Sequence, residues 1–194
     1  MLVCVVAHHT RPYEDLATDL DADIVFVDEG WNGAWWNHHR ALQWAATQSE
    51  RVWIVEDDAL PAHDFRELAK TWGDRFPHDL ISGYLGKLRP PQWQSRIRAR
   101  LADRDRDFIR LDTLIHGVCY SIPPREVGRV VEGLTPGPAD FQIGKAWGAH
   151  VLYTLPSLAD HADGDVVEKH PDGKRRLPGR TAWCPPSTGG AAWL

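Results

Sequence analysis

Cysteine is scarce in this chain of 194 residues, and its three cysteines, Cys4, Cys119 and Cys184, lie far apart in the sequence. An odd number of widely separated cysteines provides neither a disulfide framework nor the closely spaced pairs of a zinc-binding module. The cysteine pattern therefore predicts a protein of a reducing compartment, the cytoplasm.

Long apolar stretches are also missing from the sequence. No run approaches the ~20 residues that a membrane-spanning helix needs, and no signal-peptide pattern precedes the first predicted strand at Leu2. Positive charge is not in excess either, because the net charge is -5. This balance excludes a wholly basic nucleic-acid-binding protein, although it allows a local basic surface. We expect no association with a membrane.

The order of apolar and amphipathic segments predicts an α/β fold. The predicted strands cover residues 2–7, 24–27, 52–55, 80–84, 114–122 and 151–154. The predicted helices cover residues 12–20, 33–48, 65–76, 123–134 and 140–149. This alternation is typical of a Rossmann-like, mostly parallel central sheet with helices on both faces. We expect one domain over residues 1–162 and a loop-rich tail over residues 163–194 that packs on or near the functional site.

Three carboxylates, Glu56, Asp57 and Asp58, directly follow the predicted strand over residues 52–55, and we call them the acidic triplet. Hard divalent cations prefer oxygen ligands, which carboxylates supply. The triplet therefore predicts a metal site. The alternative is a solvated turn closed by Pro61, since charged side chains usually lie at the surface.

Other polar positions are predicted at the same edge of the sheet as the acidic triplet. They are the loop from His8 to Arg11 after the first strand, Asp28 after the second, and His161 after the last. In open α/β sheets, ligands bind at the carboxyl ends of the parallel strands. We therefore expect these four positions to form one site.

Four segments stand out together: Val55-Glu-Asp-Asp-Ala59 and the segments from Gly33 to Ala41, from His116 to Pro123 and from Pro156 to His161. They resemble a glycosyltransferase of the GT-A type, and the first is similar to the DXD metal motif of that fold. The resemblance is to small glycosyltransferase-like proteins of actinobacteria and their phages, and covers residues 2–161. It implies a GT-A-like fold, and a location in the host cytoplasm if a phage encodes the protein.

The resemblance implies a nucleotide-sugar donor, most commonly a uridine one. Its base and ribose would lie near the loop after the first strand, where carboxylates accept hydrogen bonds from the ribose or the base. The donor-binding residues implied in this way are Ala7, His8, Arg11, Asp28, Asn37, Arg40 and Asp57.

The resemblance also implies a metal ion on the donor diphosphate, held by Glu56, Asp58 and His161. Because the triplet reads Glu-Asp-Asp rather than Asp-x-Asp, it stays open whether Glu56 or Asp57 pairs with Asp58. An imidazole ligand favours Mn²⁺ over Mg²⁺, which takes oxygen ligands almost exclusively. An ordinary surface histidine is the alternative for His161.

Asp140 is the candidate for the catalytic base, at the position where the GT-A fold often places its acceptor-side acid. A carboxylate there would accept the proton of the attacking hydroxyl group if the anomeric carbon is inverted. The alternative is that Asp140 only caps the helix that it opens, because Asp is a good N-cap residue. A retaining reaction would need no such base.

The acceptor side is predicted from less specific features. His116 and Trp93 are candidate acceptor contacts. Eight basic residues lie from Lys87 to Arg110, either as a solvated helix with Arg–Asp pairs or as a surface for an anionic partner such as nucleic acid. The acceptor carries a hydroxyl group, and a phage structural protein and a hydroxylated DNA base are both conceivable.

Two other functions fit the same sheet edge. A nucleotidyltransferase would use similar metal-binding acids, but it needs a glycine-rich phosphate loop, and the segment from His8 to Pro12 contains no glycine. A non-catalytic module that binds nucleotide-sugars would keep the donor site without transfer. We expect the metal-dependent glycosyltransferase ahead of both alternatives.

Overall fold

The structure is a computed structural model that describes residues 1–30, 32–103, 107–162 and 180–186. The parts of the predicted tail at 163–179 and 187–194 lie outside the described residues. The strands are β1 (Leu2–His8), β2 (Ile24–Asp28), β3 (Val52–Glu56), β4 (Ala59–Pro61), β5 (Leu80–Ser82), β6 (Phe108–Leu111), β7 (Cys119–Ile122), β8 (Val151–Thr154) and β9 (Ala159–His161). The helices are α1 (Glu14–Asp19), α2 (Ala34–Ala45), α3 (Phe65–Arg75), α4 (Pro91–Ala102), α5 (Pro124–Gly133) and α6 (Ala139–Trp147).

Seven strands form the central sheet in the order β2-β1-β3-β7-β5-β8-β6. The pairs β1–β2, β1–β3 and β5–β8 are parallel, whereas β7 runs antiparallel to β3 and β5, and β6 antiparallel to β8. Five strands therefore point in one direction and only β6 and β7 in the other. This confirms a mixed α/β fold with a mostly parallel, Rossmann-like sheet.

Both faces of the sheet are covered by helices, as the alternation of side chains along a strand requires. On one face, Cys4 and Val6 of β1 belong to a core that includes buried residues of α2, α4, α5 and α6. On the other face, Val3 and Val5 pack in a second core with α3, whose residues Phe65, Ala69 and Trp72 are buried. The spacing of these three α3 residues is the helical periodicity that the sequence predicts.

A second sheet of two strands, β4 and β9, lies beside the carboxyl end of β3. The strands are antiparallel, and Ala59 is paired with His161. Two further backbone hydrogen bonds lengthen the pairing of β4 with β9. The N–H of Ala62 donates to the carbonyl of Leu158, and the N–H of Ala162 donates to the carbonyl of Asp58, both at 2.8 Å. This small sheet, which the sequence did not predict, joins the acidic triplet to the end of the domain.

Two predicted elements were wrong in extent. The strand predicted over 114–122 is only β7, because Leu114 and Ile115 are buried in a loop, where the hydroxyl of Tyr153 accepts a hydrogen bond from the N–H of Ile115. The sequence was also interpreted as one solvated helix from Lys87 to Arg110. Only α4 is helical there, and the segment ends in β6, which pairs with β8. Among the described residues, no helix is long and apolar enough to cross a membrane.

Candidate functional site

Asp57 joins the acidic triplet to the loop after β1. Its Oδ2 accepts a hydrogen bond from the N–H of His8 at 2.7 Å, and its Oδ1 accepts one from Nη1 of Arg11 at 2.6 Å. The strands β1 and β3 are parallel neighbours with Val6 paired with Glu56. The residues that follow the two strands therefore meet at the carboxyl edge of the sheet.

Asp58 is buried, with an exposed fraction of 8%, and its Oδ2 lies between a guanidinium and an imidazole. It accepts a hydrogen bond from Nη1 of Arg11 at 2.7 Å and lies 3.4 Å from Nε2 of His161. Burial and the charge of Glu56 raise the pKa of Asp58, although His161 and Arg11 oppose them. The structure therefore brings Asp58 and His161 together, at the junction that the pairing of β4 with β9 creates.

Glu56 points to a different partner from the other two acids. Its Oε1 lies 2.9 Å from Nε2 of His38, and Nδ1 of His38 lies 3.0 Å from the hydroxyl of the buried Tyr120. Burial alone would raise the pKa of Glu56, but the hydrogen bond and charge of His38, followed by the charges of His161 and Arg11, lower it below its ordinary value. Gly117 packs against the pair, because a Cβ atom there would lie 2.8 Å from Oε1.

The fit of a divalent metal ion depends on Asp58 and His161. No group of three or more His, Cys, Asp or Glu side chains is arranged to hold a metal ion in the part of the chain that the structure describes. However, Oδ1 of Asp58 and Nδ1 of His161 are buried without a hydrogen-bond partner among the described residues. A carboxylate and an imidazole suit Mn²⁺. A metal ion on this pair stays a prediction.

Asp28 organises the loop between β2 and α2. Its Oδ1 accepts hydrogen bonds from the N–H of Gly30 and from both the backbone and the side chain of Asn32, and its Oδ2 accepts one from the N–H of Gly33 at 2.7 Å. Burial alone would raise the pKa of Asp28, but these hydrogen bonds lower it. The predicted donor-contact residue thus has a structural role, and its binding role stays a prediction.

Asn37 and Arg40, on α2, contact the first two strands: Asn37 reaches both β1 and β2, and Arg40 reaches β2. Nδ2 of Asn37 donates to the carbonyls of Ala7 at 3.0 Å and Phe26 at 2.8 Å. Arg40 donates to the carbonyl of Val27, and its guanidinium lies over the rings of Phe26 and Trp36. These contacts fix α2 against the site edge, and the guanidinium of Arg40 is engaged by them.

His116 lies close to His161, because both imidazoles lie against the ring of Tyr84. Nε2 of His116 accepts a hydrogen bond from the N–H of Gly86 at 3.2 Å. Burial, with a further contribution from the charge of His161, lowers the pKa of His116 to about 3. A neutral imidazole with its proton on Nδ1 is consistent with this hydrogen bond.

The segment of residues 180–186 contacts residues next to His116 and His161. The N–H of Ala182 donates to Oδ1 of Asp160 at 2.6 Å, and Ala182 forms an antiparallel bridge with Gly86. The hydroxyl of Tyr84 donates to the carbonyl of Arg180 at 2.7 Å. This part of the predicted tail therefore lies against the residues that flank His161 and His116.

Asp140 is the second residue of α6, whose N-cap position is occupied by Pro138 rather than by Asp140. Its Oδ1 accepts a hydrogen bond from the N–H of Phe141 at 2.7 Å. Burial raises the pKa of Asp140, the hydrogen bond opposes this, and the charge of Glu56 raises it further. Because the charges of Glu56 and His38 act on it, Asp140 belongs to the neighbourhood of that pair.

The basic segment from Lys87 to Arg110 has mainly structural contacts in the part that is described; Arg104 and Arg106 lie outside it. Arg96 pairs with Asp112 at 2.5 Å, and its guanidinium lies over the ring of Trp93. These contacts agree with a solvated helix carrying ion pairs, and a nucleic-acid surface stays a prediction.

Sequence reasoning missed three features of the site. It gave no role to His38 or Tyr120, it did not predict β4 and β9, and it placed Arg11 near the base rather than on the aspartates. The available signal for Arg11 was the position of the β1 loop beside the triplet, since a buried pair of aspartates requires a compensating charge.

Comparisons with known proteins show a likeness in fold. No protein-family model matches the sequence, and no curated protein matches it either. The crystal structure of A197 from STIV is similar to this chain with a TM-score of 0.58 and 10% sequence identity, over 100% of this chain and 99% of that chain. At this identity the similarity supports the α/β, Rossmann-like architecture and transfers no activity.

Proposed function

We propose that this protein is a metal-dependent glycosyltransferase that moves a sugar from a nucleotide-sugar, most commonly a uridine one, to a hydroxyl group. The observation that carries the proposal is the meeting of Asp58 and His161, 3.4 Å apart and buried, at the carboxyl edge of a Rossmann-like sheet. That edge is where such sheets bind ligands. The β1 loop from His8 to Arg11 adjoins the pair.

Asp58 and His161 are the residues that would hold Mn²⁺ or Mg²⁺. Asp57, which binds the N–H of His8 and Arg11, keeps the β1 loop against them. A bound ion supplies positive charge that stabilises the diphosphate as a leaving group. Glu56 is directed to His38 instead, so we assign the ion to Asp58 and His161 without Glu56.

In the transfer step, the acceptor oxygen forms a bond to the anomeric carbon while the bond from that carbon to the diphosphate breaks. The electron pair of the broken bond stays on the diphosphate. In an inverting reaction, the carboxylate of Asp140 accepts the proton of the acceptor hydroxyl group. Burial raises the pKa of Asp140, which makes its carboxylate a better proton acceptor at neutral pH.

The test is a thermal-shift panel of nucleoside diphosphates and nucleotide-sugars, each with and without Mn²⁺. A ligand that binds only the folded state at 100 times its Kd stabilises it by about 2.7 kcal/mol, which raises the Tm of a domain of this size by several degrees. We expect the increase with UDP and Mn²⁺ together, and hydrolysis of a UDP-sugar by the same protein. No shift with any nucleoside diphosphate and metal contradicts the proposal.

The same panel separates the alternative functions. A shift with nucleotide-sugars but no hydrolysis or transfer indicates a binding module. Release of pyrophosphate from a nucleoside triphosphate indicates a nucleotidyltransferase. The acceptor, whether a hydroxylated DNA base or a phage structural protein, is tested last, because the donor must be known before transfer to an acceptor is measured.

A further inference from the structure

The guanidinium of Arg11 bridges the two aspartates of the acidic triplet. Its Nη1 donates to Oδ1 of Asp57 at 2.6 Å and to Oδ2 of Asp58 at 2.7 Å. The side chains of Arg11, Asp57 and Asp58 are only 17%, 5% and 9% exposed, respectively. The three groups therefore form a largely desolvated cluster of two carboxylates and one permanent cation.

This cluster overlaps the candidate metal site. Asp58 is the carboxylate that we assign to the ion, and one of its oxygens is bound to Arg11 while the other has no hydrogen-bond partner among the described residues. A divalent ion on Asp58 would lie beside the guanidinium of Arg11. Two neighbouring positive charges repel each other strongly where water is excluded. An ion alone and Arg11 therefore compete for the same carboxylate.

The charge balance changes when a diphosphate enters with the ion. A divalent ion that binds Asp58 alone places a second cation beside the guanidinium of Arg11 and adds no anion to offset it. A diphosphate adds negative charge next to both cations, and guanidinium groups bind phosphate oxygens through parallel N–H donors. Nucleotide and metal ion are thus expected to enter together rather than separately.

We propose that Arg11 is an internal counter-ion that occupies the aspartate pair in the donor-free protein and transfers its guanidinium to the diphosphate when donor and metal ion bind. The inference rests on the proposed function, since it uses the same site. It assigns Arg11 to the phosphates, whereas the sequence placed it near the nucleotide base. It also makes metal binding dependent on the nucleotide.

The experiment measures Mn²⁺ binding to the full chain without nucleotide, from the loss of the EPR signal of the free aqueous ion. Arg11→Gln, which removes the competing charge, should bind Mn²⁺ about tenfold or more tightly than the wild type. Arg11→Lys keeps the charge and should stay within about threefold of the wild type. Asp58→Asn, combined with Arg11→Gln, is the control for the site and should abolish the Mn²⁺ binding that Arg11→Gln gains.

A second titration, of UDP in the presence of Mn²⁺, completes the design. Here Arg11→Gln should bind UDP about tenfold or more weakly than the wild type, because a charge-assisted contact to phosphate is lost. Opposite effects of one substitution on Mn²⁺ alone and on UDP are not expected from a general loss of structure. Equal Mn²⁺ affinity in the wild type and Arg11→Gln overturns the counter-ion role while leaving the metal site intact.

Failure of the proposed function looks different. If neither protein binds Mn²⁺, with or without UDP, the metal site and the role of Arg11 are both overturned. Should Arg11→Gln not fold, wild-type protein labelled with ¹⁵N-arginine replaces it. The Nε–H signal of Arg11, assigned with Arg11→Lys, should then move when UDP and Mg²⁺ are added together, and an unmoved signal at saturation overturns the proposal.

Discussion

Nε2 of His38 lies 2.9 Å from Oε1 of Glu56, so the first acid of the triplet is bound to α2 and not to the β1 loop. The other two acids share Arg11. Three consecutive carboxylates therefore have two different environments, and this division decides which of them are available to a metal ion.

Glu56→Gln tests that division. A glutamine keeps an oxygen and a nitrogen near His38, and the proposed metal ligands Asp58 and His161 are unchanged. We expect the Mn²⁺ affinity measured with UDP to stay within about threefold of the wild type, whereas Asp58→Asn should lower it about tenfold or more, because a carboxylate ligand is lost. If Glu56→Gln weakens Mn²⁺ as much as Asp58→Asn does, Glu56 is the ligand that accompanies Asp58.

Gly117→Ala tests the packing of Glu56 against His38. The new Cβ atom would lie 2.8 Å from Oε1 of Glu56 and 3.5 Å from Nε2 of His38, so the carboxylate must shift and its hydrogen bond to His38 is disturbed. We expect a loss of about 1–3 kcal/mol in the free energy of unfolding, measured by urea denaturation. The matched control is Gly128→Ala in α5, where a Cβ atom meets nothing within 4 Å and alanine should stabilise the helix by roughly 0.5–1 kcal/mol. Equal effects of the two substitutions would contradict the packing argument.

Asp28→Asn tests the loop that follows β2. The pKa of Asp28 is lower in the folded protein than in an unfolded chain, because the N–H groups of Gly30, Asn32 and Gly33 bind the carboxylate more strongly than its burial disfavours it. The ionised group thus adds stability above its unfolded pKa of about 3.9. That stability is lost as the pH falls through the lower folded value.

We expect Asp28→Asn to lose about 1–3 kcal/mol in the free energy of unfolding at pH 7. We also expect a weaker decline in stability below about pH 4 than in the wild type, measured by urea denaturation between pH 2 and pH 7. Glu29→Gln, at an exposed neighbouring position, is the control and should change little. If the free energy of unfolding of Asp28→Asn declines below pH 4 as steeply as that of the wild type, the role of this carboxylate is refuted.

Asp140→Asn separates a catalytic base from a helix-end residue. An asparagine still accepts the hydrogen bond from the N–H of Phe141 but does not take up a proton. For an inverting enzyme we expect kcat for transfer to fall about 10²–10⁴-fold, while the Tm increase with UDP and Mn²⁺ is kept. A kcat within threefold of the wild type, with a lowered Tm, would leave Asp140 only a structural role.

The sequence predicted the parallel half of the fold well, because β1, β2 and β3 are continuous apolar runs and α3 has a clear helical periodicity. It predicted the strand over 114–122 wrongly, since Leu114 and Ile115 are buried in a loop and burial alone does not distinguish a loop from a strand. The short strands β4 and β9 have three residues each, which is too little for a periodic pattern.

The candidate site was predictable where it depends on strand ends and unpredictable where it depends on side-chain direction. Parallel strands bring the β1 loop, Asp28 and the acidic triplet to one edge by topology. Whether Glu56 turns to His38, and whether Arg11 turns to Asp57 and Asp58, depends on rotamers and on partners distant in sequence. No spacing pattern in the sequence indicates these side-chain orientations.

The most direct measurement is electron spin-echo envelope modulation of Mn²⁺ bound to the protein together with UDP. We predict ¹⁴N modulation from a coordinated imidazole in the wild type, retained in His116→Gln and lost in His161→Gln. Mn²⁺ bound without nitrogen modulation, or modulation that survives in His161→Gln, would contradict the assignment of Asp58 and His161 as the metal-binding pair.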